Sequence, residues 1–259
     1  MIGTNKIAVA QRVLGLIDLT NLNDVCTEHD IHSLCENALG HGHDFGHTAA
    51  VCVWPGFVAQ SRRELTGSGV HIATVVNFPH GGPDISGVIH ETQSALADGA
   101  DEIDLVFPYK AFAMGDIDTA REQIEAVRAV IPAGASLKVI LETGELEIAE
   151  LIKSASHLAL EAGADFIKTS TGKVQVYATL EATDIMLIAI ADSGKKAGFK
   201  PAGGIRSVAE AAHYLALADD IMGPEWTSPE TFRFGATSLL DDVLAILQGS
   251  EGPSGDGGY

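Results

Sequence analysis

Four charged residues recur inside short apolar runs at nearly even spacing. Asp104 in "DEIDLVF", Lys138 in "SLKVILET", Lys168 in "ADFIKTS" and Lys200 in "AGFKPAGG" follow one another at steps of 34, 30 and 32 residues. Such a step holds one strand, one helix and the turns that join them. Helix-like stretches fill the intervals, among them "DIDTAREQIEAVRAVI", "ELEIAELIKSASHLALEAG", "TLEATDIMLIAIADSG" and "SVAEAAHYLALA". Each repeats apolar residues at helical spacing. Glycine follows several of them, as in "DGAD" and "EAGAD", where it stops a helix before the next strand.

Further strands are expected at 49–54, 70–78 and 231–238, with a weak one at 219–223. Eight units in 259 residues predict an α/β fold of the closed TIM (β/α)8 type. The segment before residue 49 is expected to be an N-terminal helical extension that covers the barrel bottom. The alternative is a doubly wound open sheet, but its G-x-G-x-x-G after the first strand is missing. One barrel domain is expected over 1–248. A Gly-rich polar tail, expected to be mobile, follows over 249–259 and ends in Tyr259.

Composition excludes several partners. The net charge is −19 and no Lys/Arg-rich run exists, which argues against nucleic acid or an anionic membrane. The cysteines are Cys26, Cys35 and Cys52, an odd number with no C-x-x-C, so no disulfide framework or zinc ribbon is expected. No signal peptide or membrane-length apolar run is evident, and a cytoplasmic location is expected.

The lysines demand a chemical reason. An unpaired buried ammonium costs several kcal/mol or gives up its proton. If Lys168 and Lys200 both point into the barrel, two cations share one small interior. At about 4 Å and an effective dielectric of 20 they repel by roughly 4 kcal/mol, worth about three pKa units. That would make Lys168 a neutral amine, the nucleophile that condenses with a carbonyl, with Lys200 as the perturbing cation. The alternative is that both lysines snorkel into water at the rim. Asp104, inside its own apolar run, is placed to move protons; an ion pair with Lys138 or Lys200 is its plainer reading.

Gly-rich turns at "TSTGK" (169–173), "PAGGIRS" (201–207) and "FGATS" (234–238) follow late strands. Backbone N–H groups there suit a phosphate, with Lys173 adding charge and Ser238 a hydroxyl. The segment "HGHDFGH" (41–47) offers His41, His43 and His47, but it precedes a strand, so a surface loop is expected rather than a metal site.

The stretches "LIDLTNLN", "AAVCVWPGFV", "TVVNFPHG", "GADEIDLVFPYKA", "LKVILETGEL", "AGADFIKTSTGK", "GFKPAGGIRS" and "FRFGATSLL" together resemble the deoxyribose-phosphate aldolase family over about residues 10–240. These class I aldolases reversibly cleave 2-deoxyribose 5-phosphate to acetaldehyde and glyceraldehyde 3-phosphate. The resemblance implies Lys168 as the Schiff-base lysine, Lys200 as its perturber and proton-transfer partner, and Asp104 as the acid of a relay through water. It implies that Asp18 and Thr20 meet substrate hydroxyls. It places Thr171, Gly172, Lys173, Gly203, Gly204 and Ser238 on the substrate, mostly at its phosphate. Tyr259 would fold back to assist proton abstraction. Thr237 stands where the family often has serine. The family uses no metal or cofactor, and a homodimer in deoxyribose phosphate catabolism is implied.

Overall fold

A computed structural model of the chain describes residues 2–249. Eight strands alternate with helices. They are β1 (Ile17–Asn21), β2 (Ala50–Val53), β3 (His71–Val76), β4 (Glu102–Val106), β5 (Ser136–Ile140), β6 (Phe166–Lys168), β7 (Gly198–Lys200) and β8 (Phe234–Ala236). All seven strand pairings are parallel, in the order β7-β6-β5-β4-β3-β2-β1-β8. Single bridges at Phe199↔Phe232 and Ala202↔Gly235 close the seam between β7 and β8. The result is the (β/α)8 barrel that the spacing of charged residues predicts.

The helices form the outer ring. They are α1 (Ile2–Leu14), α2 (Glu28–Leu39), α3 (Val58–Leu65), α4 (Ile85–Ala97), α5 (Tyr109–Ala113), α6 (Ile117–Val130), α7 (Thr143–Leu146), α8 (Ala149–Glu161), α9 (Leu180–Ser193), α10 (Val208–Met222) and α11 (Leu239–Leu247). Their starts follow from local chemistry. Thr27 and Ser207 open α2 and α10 with reciprocal capping boxes to Asp30 and Glu210, and Asp84, Asp116 and Thr179 cap α4, α6 and α9. The apolar faces of the ring meet the outward residues of the strands in one continuous core, from Ile17 and Val51 to Phe199 and Phe232.

Two strand expectations are corrected. Residues 219–223 are not a strand: α10 runs to Met222 and stops at Gly223. Leu217 and Ile221, one helical turn apart, pack on the core, and Asp219 is held by Arg12 at 2.5 and 2.7 Å. The eighth strand is instead β1, within the segment expected to be only helical. Its inward residues, Asp18 and Thr20, are polar, so the usual apolar alternation is inverted. A helical extension does exist as α1, and it packs on α10 and α11.

Barrel interiors are ordinarily filled by branched apolar side chains. Here a small apolar cluster, Cys52, Ala73 and Val75 on β2 and β3 with Leu22, Trp54 and Phe78, fills one side of the interior, and Phe166 packs under Arg233. Much of the remaining axis is ionic.

Candidate active site

Strand register decides which charges meet. Asp104 lies level with Lys138, whereas Lys168 lies level with Lys200 and with Ile140, two residues further along β5. That offset carries Lys168 about 7 Å closer to the C-terminal mouth than Lys138. Asp104, fully buried, receives all three lysines: Lys138 at 2.9 Å on Oδ1, with Lys168 at 2.8 Å and Lys200 at 2.9 Å on Oδ2. Below it, Glu102 accepts from Lys138, from Arg233 at 2.8 Å and from His71 at 2.9 Å. Asp18 pairs with Lys200 at 2.5 Å and Arg233 at 2.7 Å. Four basic side chains, Lys138, Lys168, Lys200 and Arg233, thus face the three carboxylates Asp18, Glu102 and Asp104.

The electrostatics follow from that count. Burial alone would push the Asp104 carboxyl up, but Lys138, Lys168 and Lys200 outweigh it and hold it well below the usual carboxylate range. Glu102 is likewise held well down, against burial, by Lys138, His71 and Arg233. Burial would lower the Lys200 ammonium, yet Asp104 and Asp18 raise it instead. The expected picture of two ammoniums in bare opposition is therefore modified. A single carboxylate oxygen of Asp104 takes a hydrogen bond from each of them.

Above the cluster a cavity of about 430 Å³ opens at the C-terminal ends of β1, β6, β7 and β8. It is lined by Thr20, Lys168, Thr171, Gly172, Lys173, Gly203, Gly204 and Ser238, eight of the residues singled out from sequence. Lys168 reaches this cavity; Lys138 and Lys200 do not. Gly203 and Gly204 take φ of +82° and +79°, and a Cβ on Gly203 would meet Tyr177 at 3.0 Å. Gly235 leaves room for the Lys200 stem, whose Cε would lie 3.2 Å from an added Cβ. Lys173 spans the mouth, donating to the Leu22 carbonyl at 2.9 Å and to Asp24 at 3.2 Å. Thr237 donates to the Thr20 carbonyl at 3.0 Å, which ties β8 to β1 at the rim.

One expected substrate residue lands elsewhere. Asp18 does not line the cavity; its carboxylate is wholly buried beneath it, on Lys200 and Arg233. Tyr259 lies outside the described residues. His41, His43 and His47 occupy the loop between α2 and β2, at the opposite end of the barrel. That end holds a larger cavity, about 680 Å³, lined by His47, His71, Glu102 and Arg233. It lies at the N-terminal strand ends, where barrels build stability rather than chemistry.

Arg233 and Glu142 escaped the sequence reading. Arg233 stands between two phenylalanines in "FRF", and that interruption of an apolar run was a signal of the same kind as Lys168. Glu142, fully buried just beyond β5, accepts from the Thr171 hydroxyl at 2.5 Å and from the Thr171 backbone N–H at 3.2 Å. Burial raises its carboxyl despite those bonds.

Comparison with known proteins agrees with this geometry. Residues 12–244 match the model of the DeoC/LacD family aldolases. The deoxyribose-phosphate aldolase of Agrobacterium fabrum (strain C58) is 55% identical over 251 residues, 96% of this chain and 96% of that one. Among solved structures, a proposed deoxyribose-phosphate aldolase from Toxoplasma gondii ME49 superposes with a TM-score of 0.86 at 27% identity, covering 95% of this chain and 97% of that chain. One from Coccidioides immitis gives 0.79 at 27% identity, over 94% and 95% of the two chains. A parallel barrel with a lysine-bearing mouth and a full-length aldolase relative lead to one conclusion: the chain belongs to the DeoC/LacD family of aldolases.

Proposed function

We propose that the chain reversibly cleaves 2-deoxy-D-ribose 5-phosphate to acetaldehyde and D-glyceraldehyde 3-phosphate through a Schiff base on Lys168. The observation that carries this is the placement of Lys168. Its nitrogen rests on Asp104, in a cluster with one more basic group than acids, and it alone of the three axial lysines opens on the cavity. The free amine of a lysine at such a mouth is the nucleophile that a Schiff base requires.

In the cleavage direction the Lys168 amine adds to the aldehyde carbon of the open-chain sugar. Loss of water gives the protonated imine. The bond between the second and third carbons breaks as a base removes the proton of the third-carbon hydroxyl, and its electrons move into the imine to give an enamine. Glyceraldehyde 3-phosphate departs. Protonation of the enamine carbon and addition of water then release acetaldehyde and restore the amine. Asp104 holds Lys168 and Lys200 on one oxygen, so a proton can pass between them by way of water. The mouth supplies the phosphate site: the turns at Gly172 and at Gly203–Gly204, Lys173, and Ser238 at the start of α11. Thr20 is the nearest candidate for the substrate hydroxyls. The homodimer is tested by sedimentation velocity, where a single monomer boundary would remove it.

The decisive experiment is borohydride reduction with acetaldehyde present, followed by mass mapping of the 165–173 peptide. A reduced two-carbon adduct on Lys168 is expected. Lys168→Ala should cut turnover by about a thousandfold or more. An adduct confined to another residue, or an active K168A enzyme, removes the assignment.

A further inference from the structure

One buried acid beside the mouth has no part in the Schiff-base scheme or the ionic cluster, and its backbone is strained. Glu142 sits just past the end of β5 with φ 51° and ψ 58°, a left-handed conformation that non-glycine residues seldom adopt. No lysine or arginine nitrogen among the described residues makes an ion pair with it. A carboxylate kept dry without a cation is held there by what donates to it.

What donates is one residue of the Gly-rich turn. Both Glu142 oxygens take the Thr171 backbone N–H, at 3.2 and 3.3 Å, and one takes the Thr171 hydroxyl at 2.5 Å. With its hydrogen committed to Glu142, the Thr171 Oγ1 accepts the Lys173 backbone N–H at 3.0 Å. The N–H groups of 171 and 173 are therefore both tied back, one directly and one through the hydroxyl. Between them, the Gly172 N–H has no protein partner among the described residues, and Gly172 lines the cavity. The same junction brings the Thr143 N–H onto the Thr169 carbonyl at 2.9 Å. It also presses Gly144 against Val176, where an added Cβ would meet the carbonyl at 2.3 Å.

We infer that Glu142 is the positioning residue of the phosphate turn: through Thr171 it fixes the 169–173 backbone so that the Gly172 N–H is left for an anion. This rests on the aldolase reading for the identity of the anion, a sugar phosphate. It assigns Glu142 no contact with substrate.

The test uses the intact enzyme and two measurements. Calorimetric titration with inorganic phosphate reads the turn alone, and steady-state cleavage compares 2-deoxyribose 5-phosphate with unphosphorylated 2-deoxyribose. Glu142→Gln replaces one of the two acceptor oxygens with an NH2 group, so the Thr171 N–H and hydroxyl lose the charged acceptor pair that now holds them. It should weaken phosphate binding about tenfold, about 1.4 kcal/mol, and raise KM for the phosphorylated sugar by a similar factor with a much smaller change in kcat. kcat/KM for the unphosphorylated sugar should fall far less than for the phosphorylated one. Thr171→Val, which cuts the same link from the other side, should move these quantities in the same direction, and it carries the test if E142Q does not fold. Equal losses on both sugars, unaltered phosphate affinity in the variants, or a native enzyme that binds no phosphate would each overturn the inference. A native enzyme that binds phosphate yet cleaves neither sugar would sink the aldolase reading instead, with the titration still deciding the role of Glu142.

Discussion

Lys168 differs from Lys138 and Lys200 by what lies above it. All three donate to Asp104, but Lys138 and Lys200 are closed off from the mouth and each has a further carboxylate partner, Glu102 and Asp18 respectively. Lys200 is the second donor to Asp104 Oδ2 and the ion-pair partner of Asp18. Lys200→Leu should cut kcat by about a hundredfold while acetaldehyde is still trapped on Lys168 by borohydride; a variant with native kcat would remove Lys200 from proton transfer. His71 offers a second residue-scale test. Its hydrogen bond to Glu102 raises its pKa above 6.5, against partial burial. A folded-state pKa above the unfolded one contributes stability that is complete below about pH 6.5 and is lost as pH rises through the folded value. The melting temperature of the native protein should thus fall, relative to His71→Asn, as pH rises above about 6.5. Parallel curves would remove His71 from the network. Lys168 was legible in the sequence because an ammonium in an apolar run is an anomaly that reads locally. Glu142 was not, because its partner is 29 residues away and its left-handed backbone leaves no mark in the residue pattern.

At the scale of elements, periodicity identified most of the barrel and failed in one informative way. Seven of the expected strands form where short apolar runs stand between amphipathic helices. The eighth, β1, was hidden because its inward face carries Asp18 and Thr20, and polar inward residues imitate a helix end. The capping chemistry was more literal. Ser207 accepts from the Glu210 N–H at 3.2 Å, and Glu210 accepts from the N–H groups of Ser207 at 3.0 Å and Arg206 at 2.7 Å. Ser207→Ala should cost about 1 kcal/mol, seen as a melting temperature lower by roughly 2–4 °C in a domain of this size. No change would show that packing of Val208 and Ala211, rather than the cap, starts α10.

For the whole molecule, the ionic axis sets both stability and acid tolerance. Glu102→Gln leaves four basic groups against two carboxylates in a dry interior, and breaking a buried pair of this kind costs about 3–5 kcal/mol. Chemical denaturation should show that loss at neutral pH. Glu102 and Asp104 titrate below their unfolded values. Their contribution is thus present above about pH 4.5 and lost as pH falls through the folded values. Native stability should fall steeply on the acid side, and less steeply in E102Q. The sequence by itself determined the repeat of strand and helix, the closed parallel barrel, the glycine turns and the lysines set within apolar strands, since period, parity and an ammonium in an apolar run are local properties. Only the tertiary structure decided which charges meet. Lys168 reaches Asp104 across 64 residues, Lys200 reaches it across 96, and Arg233 reaches Glu102 across 131. Those distances are set by barrel stagger and closure, which bring residues together through strand register rather than through any spacing along the chain.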